Sequence, residues 1–247
     1  MNRYFAELSY KGTNYHGWQI QPNADTVQET LEHAFSTLLQ EKIAVVGAGR
    51  TDTGVHAQFY VAHFDITIEI KDTQNLIFKL NSFLPSDIAI YKLYRVDEKM
   101  HARFSALRRS YEYRIARRKL PFAQDYSHYI YGDLDTESMR HAAEIILQYE
   151  DFTSFSKLHT DTKNNLCQIF SLTVEEIDNI LIIQITANRF LRNMVRAIAG
   201  TLIDVGMGKF PASELKSIIE GKNRALSGAS APAKGLFLTN IEYPGSD

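Results

Sequence analysis

The chain of 247 residues contains a single cysteine, Cys167. That excludes an intramolecular disulfide, and it excludes a thiolate zinc site, which needs several ligands at short spacing. A reducing compartment suits such a chain. No stretch approaches the roughly 18 apolar residues of a membrane span, and Met1-Asn2-Arg3-Tyr4-Phe5-Ala6-Glu7 lacks the apolar core of a secretory signal. The expected location is the cytoplasm, with no membrane partner. No sign of charge dominates either: 27 Lys and Arg stand against 29 Asp and Glu, a formal net charge of −2. This excludes a protein that grips nucleic acid with its whole surface, because phosphate binding relies on clustered cations. With 45% hydrophobic and 23% charged residues the composition is that of an ordinary globular protein.

The cations that are present are concentrated. Arg103, Arg108, Arg109, Arg114, Arg117, Arg118 and Lys119 share the stretch 103–119 with one acid, Glu112, and with Tyr111 and Tyr113. A second set, Arg189, Arg192 and Arg196, follows the spacing i, i+3, i+7, which predicts one stripe of a helix. Basic runs mixed with aromatics fit solvated faces or contacts to nucleic acid.

Hydrophobic periodicity gives the order of elements. Residues 3–10 read as a strand. Thr26 and Glu29 form a capping box ahead of Val27, Leu31, Phe35 and Leu38, which run at helical spacing through about Gln40. Residues 43–46 and 58–66 read as strands, 72–84 as a helix stopped by Pro85, and 88–96 as a strand. The second half repeats the order: strand 109–116, helix 136–148, strands 169–176 and 181–187, helix 189–205 and strand 236–243, with an extra helix at 212–220. Each half reads β-α-β-β-α-β, the ferredoxin-like split arrangement. The expected fold class is therefore α+β: two ferredoxin-like halves, residues 1–105 and 106–247, forming a largely antiparallel sheet with helices packed on it and a central cleft.

Between two first-half strands lies Gly47-Ala48-Gly49-Arg50-Thr51-Asp52-Thr53-Gly54-Val55-His56-Ala57, where three glycines permit tight turns and close backbone approach. Asp52 there can be a turn-organising residue or a carboxylate presented to substrate. Asp52, His56, His63 and Asp65 are also conceivable metal ligands, but they lack a recognisable metal spacing. A phosphate cradle would call for a G-x-x-x-x-G-K-[ST] pattern, which is absent.

Gly49-Arg50-Thr51-Asp52-Thr53-Gly54-Val55-His56-Ala57 resembles the signature loop of the tRNA pseudouridine synthase A family. The stretches Tyr10-Lys11-Gly12-Thr13-Asn14-Tyr15-His16-Gly17-Trp18-Gln19, His101-Ala102-Arg103-Phe104-Ser105-Ala106, Tyr111-Glu112-Tyr113, Asp151-Phe152-Thr153-Ser154-Phe155 and Phe190-Leu191-Arg192-Asn193-Met194-Val195-Arg196 are similar to that family in the same order. Two departures stand out. Thr53 replaces a smaller Ala or Ser, and Lys163-Asn164-Asn165-Leu166 lacks an arginine common in relatives.

The resemblance implies an isomerase that converts uridines 38, 39 and 40 of the tRNA anticodon arm to pseudouridine. It implies Asp52 as the catalytic carboxylate, Arg196 as the cation that supports it, and Tyr111 as a substrate contact stacking on an extruded uracil; Arg50, beside Asp52 in the loop, fits a substrate contact to phosphate or to the extruded base. Tyr113, two residues on, fits a packed sheet-face aromatic better. His56 and His101 are expected to be hydrogen-bonded structural histidines. No metal, nucleotide or other cofactor is implied, and the family is homodimeric, with tRNA lying across both subunits.

Overall fold

The computed structural model describes residues 1–157 and 164–245. Of the departure at residues 163–166, Lys163 lies outside the described residues. Two compact units emerge, Met1–Leu107 with Phe237–Asp247, and Arg108–Leu236. Among the described residues the architecture is α+β, with five α-helices and nine strands that pair largely antiparallel.

In the first unit the opening alternation becomes β1 (Asn2–Tyr10), which pairs antiparallel with β3 (His56–Ile66) on one edge and β4 (Ile88–Val96) on the other. The long β3 carries two further partners. Its end pairs antiparallel with β2 (Val45–Gly47), and its start pairs in parallel with β9 (Leu236–Glu242) through His56↔Phe237 and Ala57↔Leu238. The connecting loop, residues 48–55, therefore leaves one neighbour of β3 and returns beside the other. β2 begins later than expected because its approach docks on a helix first. The Ile43 N–H donates to the Ser36 hydroxyl at 2.9 Å, and the Val45 N–H to Glu32 Oε1 at 2.9 Å.

The two helices of the first unit start where the sequence places them. Thr26 caps α1 (Val27–Leu39), its hydroxyl accepting from the Glu29 N–H, and Asp72 caps α2 (Thr73–Phe83), accepting from the Asn75 N–H at 2.9 Å. Their apolar stripes, Val27, Leu31 and Phe35 on α1 and Leu76 and Leu80 on α2, are buried.

In the second unit β8 (Ile180–Ala187) runs antiparallel between β5 (Arg108–Ala116) and β7 (Ile169–Ile177), with α3 (Thr136–Ile146), α4 (Met194–Gly206) and α5 (Leu215–Glu220) completing the unit. β6 (His128–Tyr129), parallel to the end of β5, is too short for periodicity to reveal. One expectation is overturned. α4 begins at Met194, not at residue 189, because Asn193 sits at φ 66°, a left-handed conformation no helix continues through, with its amide donating to the Ser230 hydroxyl at 2.5 Å. Arg189 and Arg192 precede the helix, so the three arginines do not form one helical stripe.

The closing strand also differs from its expected place in residues 106–247. β9 belongs with the first unit, where it pairs with β3. The Tyr243 hydroxyl donates to the Ala102 carbonyl at 2.6 Å, and the Leu107 N–H to the Glu242 carbonyl at 2.8 Å. No helix among the described residues is long and apolar enough to cross a membrane.

His63, on β3, is 4% exposed and accepts the Ala102 N–H on Nδ1 at 3.2 Å. Burial, helped by the positive Arg3 and by His101, pulls its pKa down to about 4 from 6.5. The unfolded chain thus binds a proton that the folded chain refuses. The stabilisation is complete above pH 6.5 and is lost as pH falls toward 4, up to about 3 kcal/mol. His63→Asn, which keeps an acceptor near Nδ1, should flatten the fall of the unfolding midpoint between pH 6.5 and 4 in pH-resolved denaturant titrations.

Candidate active site

Residues 48–55 lie on an aromatic floor. Trp18 stacks on Tyr60 with centroids 4.2 Å apart, and Tyr10 meets Tyr60 edge-on at 5.4 Å. All three rings are buried. Gly47 fits only as glycine, because a Cβ there would overlap the Tyr60 hydroxyl and the Trp18 ring. The Tyr60 hydroxyl donates to the Gly49 carbonyl and accepts from the Gly49 N–H at 3.4 Å. Two residues on, the Thr51 and Tyr10 hydroxyls share a hydrogen bond of 2.9 Å.

A second backbone runs alongside. The Trp18 N–H donates to the Thr51 carbonyl, and the Gly54 N–H to the Tyr15 carbonyl, both at 3.3 Å. The approach is close enough to need glycine twice. A Cβ on Gly12 would fall on the Val55 carbonyl, and one on Gly17, already at φ +91°, on the Thr51 carbonyl. The Gly12 N–H donates to His56 Nδ1 at 3.1 Å, and the His56 ring stacks on Phe237 at 4.7 Å. This is the structural use expected of His56. Gly54 (φ +78°) turns the chain, and the Val55 N–H closes on the Asp52 carbonyl at 3.1 Å. The main-chain shape around Asp52 is therefore set from below by Tyr60 and Tyr10 and from the side by residues 12–18. Asp52 itself is half-buried, and Arg50, two residues before it, is exposed.

Tyr60→Phe tests the floor. It leaves the Gly49 N–H and carbonyl without their hydroxyl partner and should lower unfolding free energy by about 1 to 2 kcal/mol in denaturant titrations.

In the second unit, Tyr111 and Tyr113 share a face of β5, two residues apart. Tyr113 is fully buried and donates to the Pro232 carbonyl at 3.0 Å. Burial raises its pKa well above the ordinary tyrosine value, only partly offset by the charge of Arg196. Tyr111 is half-buried and stands edge-on to Phe190, with centroids 5.2 Å apart and planes at 89°.

Arg196 lies in the first turn of α4. Its Nε donates to the Ala231 carbonyl at 2.7 Å, and its own carbonyl accepts the Ala231 N–H at 2.9 Å. The segment that supplies Ala231 is tied to α4 in turn. A Cβ on Gly200 would meet the Ala229 carbonyl, and Thr201 accepts the Gly228 N–H at 2.9 Å. Asp52 and Arg50 thus belong to the first unit, Tyr111 and Arg196 to the second.

The conceivable metal ligands have other engagements. Asp65 takes two bonds from Arg3 at 2.8 and 2.7 Å, which hold its carboxyl below the usual range, while His56 and His63 each accept a main-chain N–H on Nδ1. Among the described residues no group of three or more His, Cys, Asp or Glu could hold a metal ion. Cys167 is buried, and burial pushes its thiol up to about 11, unsuited to nucleophilic work at neutral pH. The braces Tyr10, Tyr60, Gly12 and Gly17 were not singled out by sequence as site residues. The similarity of residues 10–19 to a family stretch is the signal for Tyr10, Gly12 and Gly17, and Tyr60 has none.

A family model described as tRNA pseudouridine synthase matches residues 6–105 and 149–244. The matched stretches contain Arg50, Asp52, Arg196 and the brace at residues 12–18, and Tyr111 falls between them. Proteins named tRNA pseudouridine synthase A are similar over nearly the whole chain. The one from Bacteroides thetaiotaomicron is 50% identical over 247 residues, covering 99% of this chain and 91% of its own. That of Bacteroides fragilis is 50% identical over 245 residues, covering 99% and 97%. That of Porphyromonas gingivalis is 47% identical over 247 residues, covering 99% and 98%.

Proposed function

Because the chain belongs to the tRNA pseudouridine synthase family, we propose that it isomerises uridines 38, 39 and 40 of the tRNA anticodon arm to pseudouridine, with Asp52 as the essential carboxylate. Membership makes the chain an isomerase acting on tRNA. The reaction breaks the bond between N1 and C1′, turns the base and joins C5 to C1′. The hydrogen on C5 leaves as a proton and N1 gains one, so atoms and electrons balance within the nucleoside and water. A carboxylate can meet the demand as nucleophile toward sugar or base, or as base toward a sugar proton.

The observation that carries this reading is the setting of Asp52. It is a half-buried carboxylate on a loop whose flanking main chain is pinned on two sides, which is the pre-organisation a reacting group needs. We assign Arg196 as the cation that supports the reaction. Its Nε anchor on the Ala231 carbonyl supports a positioning role. Tyr111 is assigned to stack on the extruded uracil, supported by its half-exposed ring beside Phe190, and Arg50 to the RNA backbone or the base beside the target. A homodimer would pool the basic stretch of residues 103–119 from two copies and reconcile RNA binding with a net charge of −2.

The test uses unmodified tRNA carrying tritium at uridine C5, without added metal or nucleotide. Release of tritium to water together with appearance of pseudouridine is expected. Bound tRNA that keeps all its label would contradict the reading.

A further inference from the structure

Beyond lending Arg103 to the basic stretch, the turn at residues 101–105 of the first unit has no role of its own in the assignments above. Its main chain is fastened at almost every position. The His101 N–H donates to the Ser105 hydroxyl and the Ser105 N–H to the His101 carbonyl, both at 2.9 Å. His101 Nδ1 accepts the N–H groups of Arg103 at 3.1 Å and Phe104 at 3.3 Å. Ala102 is held at both ends, its N–H by His63 and its carbonyl by Tyr243. Burial, with the charges of Arg3 and Arg103, lowers the pKa of His101, which keeps Nδ1 an acceptor at neutral pH.

Such bracing fixes two side chains that point outward. Phe104 is 76% exposed, and Arg103 is exposed with its guanidinium over the Phe104 ring, 5.5 Å from the centroid. The His101 ring backs Phe104 at 4.5 Å. An aromatic ring this exposed contributes little to the folded core, whereas a turn with this many bonds is built to hold it still. Arg103 also opens the run of seven cations against one acid that extends to Lys119.

We infer that residues 101–105 form a nucleobase-stacking site for the substrate RNA, in which an unstacked base lies on the Phe104 ring and Arg103 meets the adjoining phosphate. The inference depends on the RNA-modifying reading only for the identity of the RNA. An aromatic face paired with a guanidinium suits a base and its phosphate together. Stacking tolerates any base, so the site adds affinity without reading sequence. A rigid turn also brings little ordering entropy to the complex.

The test measures equilibrium binding of unmodified tRNA to the full chain, separately from turnover, for wild type, Phe104→Ala, Phe104→Leu, Phe104→Trp and Arg103→Gln. Phe104→Ala and Phe104→Leu should weaken binding roughly 5- to 150-fold, and Phe104→Trp should restore it. Thermal midpoints should stay at the wild-type value for such exposed positions. Arg103→Gln should make the dependence of log affinity on log salt shallower by about 0.7 to 0.9, one phosphate contact.

Wild-type affinity in Phe104→Ala would overturn the inference. So would full binding by Phe104→Leu, which keeps the apolar bulk without the π face, or a change in self-association with tRNA affinity intact. The functional reading fails by a different result, a wild-type chain that binds tRNA and forms no pseudouridine.

Discussion

Gly17→Ala should lower kcat/KM for tRNA by about 100-fold, although Gly17 itself carries no chemistry. Gly17 sits at φ +91°, where an alanine is strained by about 1 kcal/mol or more. Its new Cβ would fall on the Thr51 carbonyl, with the Asp52 carbonyl carbon 3.2 Å away. Neither side can yield easily. The Thr51 carbonyl accepts the Trp18 N–H, the Thr51 hydroxyl is held by buried Tyr10, and Trp18 is stacked on Tyr60. Relief must move the peptide that precedes Asp52, and a displacement of about 1 Å in a reacting group is enough for a loss of this size. Steady-state kinetics together with the thermal midpoint would check it. Gly49→Ala offers the contrast for stability, since a Cβ there meets nothing within 4 Å and should lower the midpoint far less.

Asp52→Asn should have the opposite signature, with stability and tRNA affinity kept and chemistry lost. The substitution preserves shape and removes only the charge of a half-buried side chain. The loop's main-chain bonds involve Thr51, Gly54 and the Asp52 carbonyl, none of which the change touches. Affinity for tRNA should stay within a few-fold, because phosphate contacts come from cations elsewhere. Turnover should fall by roughly 1,000-fold or more, whether the carboxylate acts as nucleophile or as base. Single-turnover kinetics with saturating enzyme separate the two quantities.

Much of the fold could be read in advance because its signals are local. The caps at Thr26 and Asp72, the stripe from Val27 to Phe35 and the alternation of β1 depend on neighbours a few residues away. What escaped was decided at a distance. Helical spacing runs unbroken through Arg189, Arg192 and Arg196, yet Asn193, bonded to Ser230 across 37 residues, takes a left-handed conformation and starts α4 after it. The closing strand reads correctly as a strand, but its place in the first unit comes from pairing with β3, about 180 positions earlier.

The site divides in the same way. Asp52 stands out in sequence only through the resemblance of its loop, since residue type and spacing alone leave a turn residue. The residues that make the loop rigid join positions 10–18 to positions 47–60 by contacts of a few ångströms. Gly12 and Gly17 look like ordinary loop glycines until the Val55 and Thr51 carbonyls are seen against them.

The central claim is that the Asp52 carboxylate turns uridine into pseudouridine at positions 38, 39 and 40. Position-resolved nucleoside mapping of unmodified tRNA after treatment with wild type and with Asp52→Asn tests it most directly. The account predicts pseudouridine at these three positions with wild type and unchanged uridine with Asp52→Asn, at equal tRNA occupancy. Pseudouridine formed at the wild-type rate by Asp52→Asn, or formed only outside the anticodon arm by wild type, would contradict it.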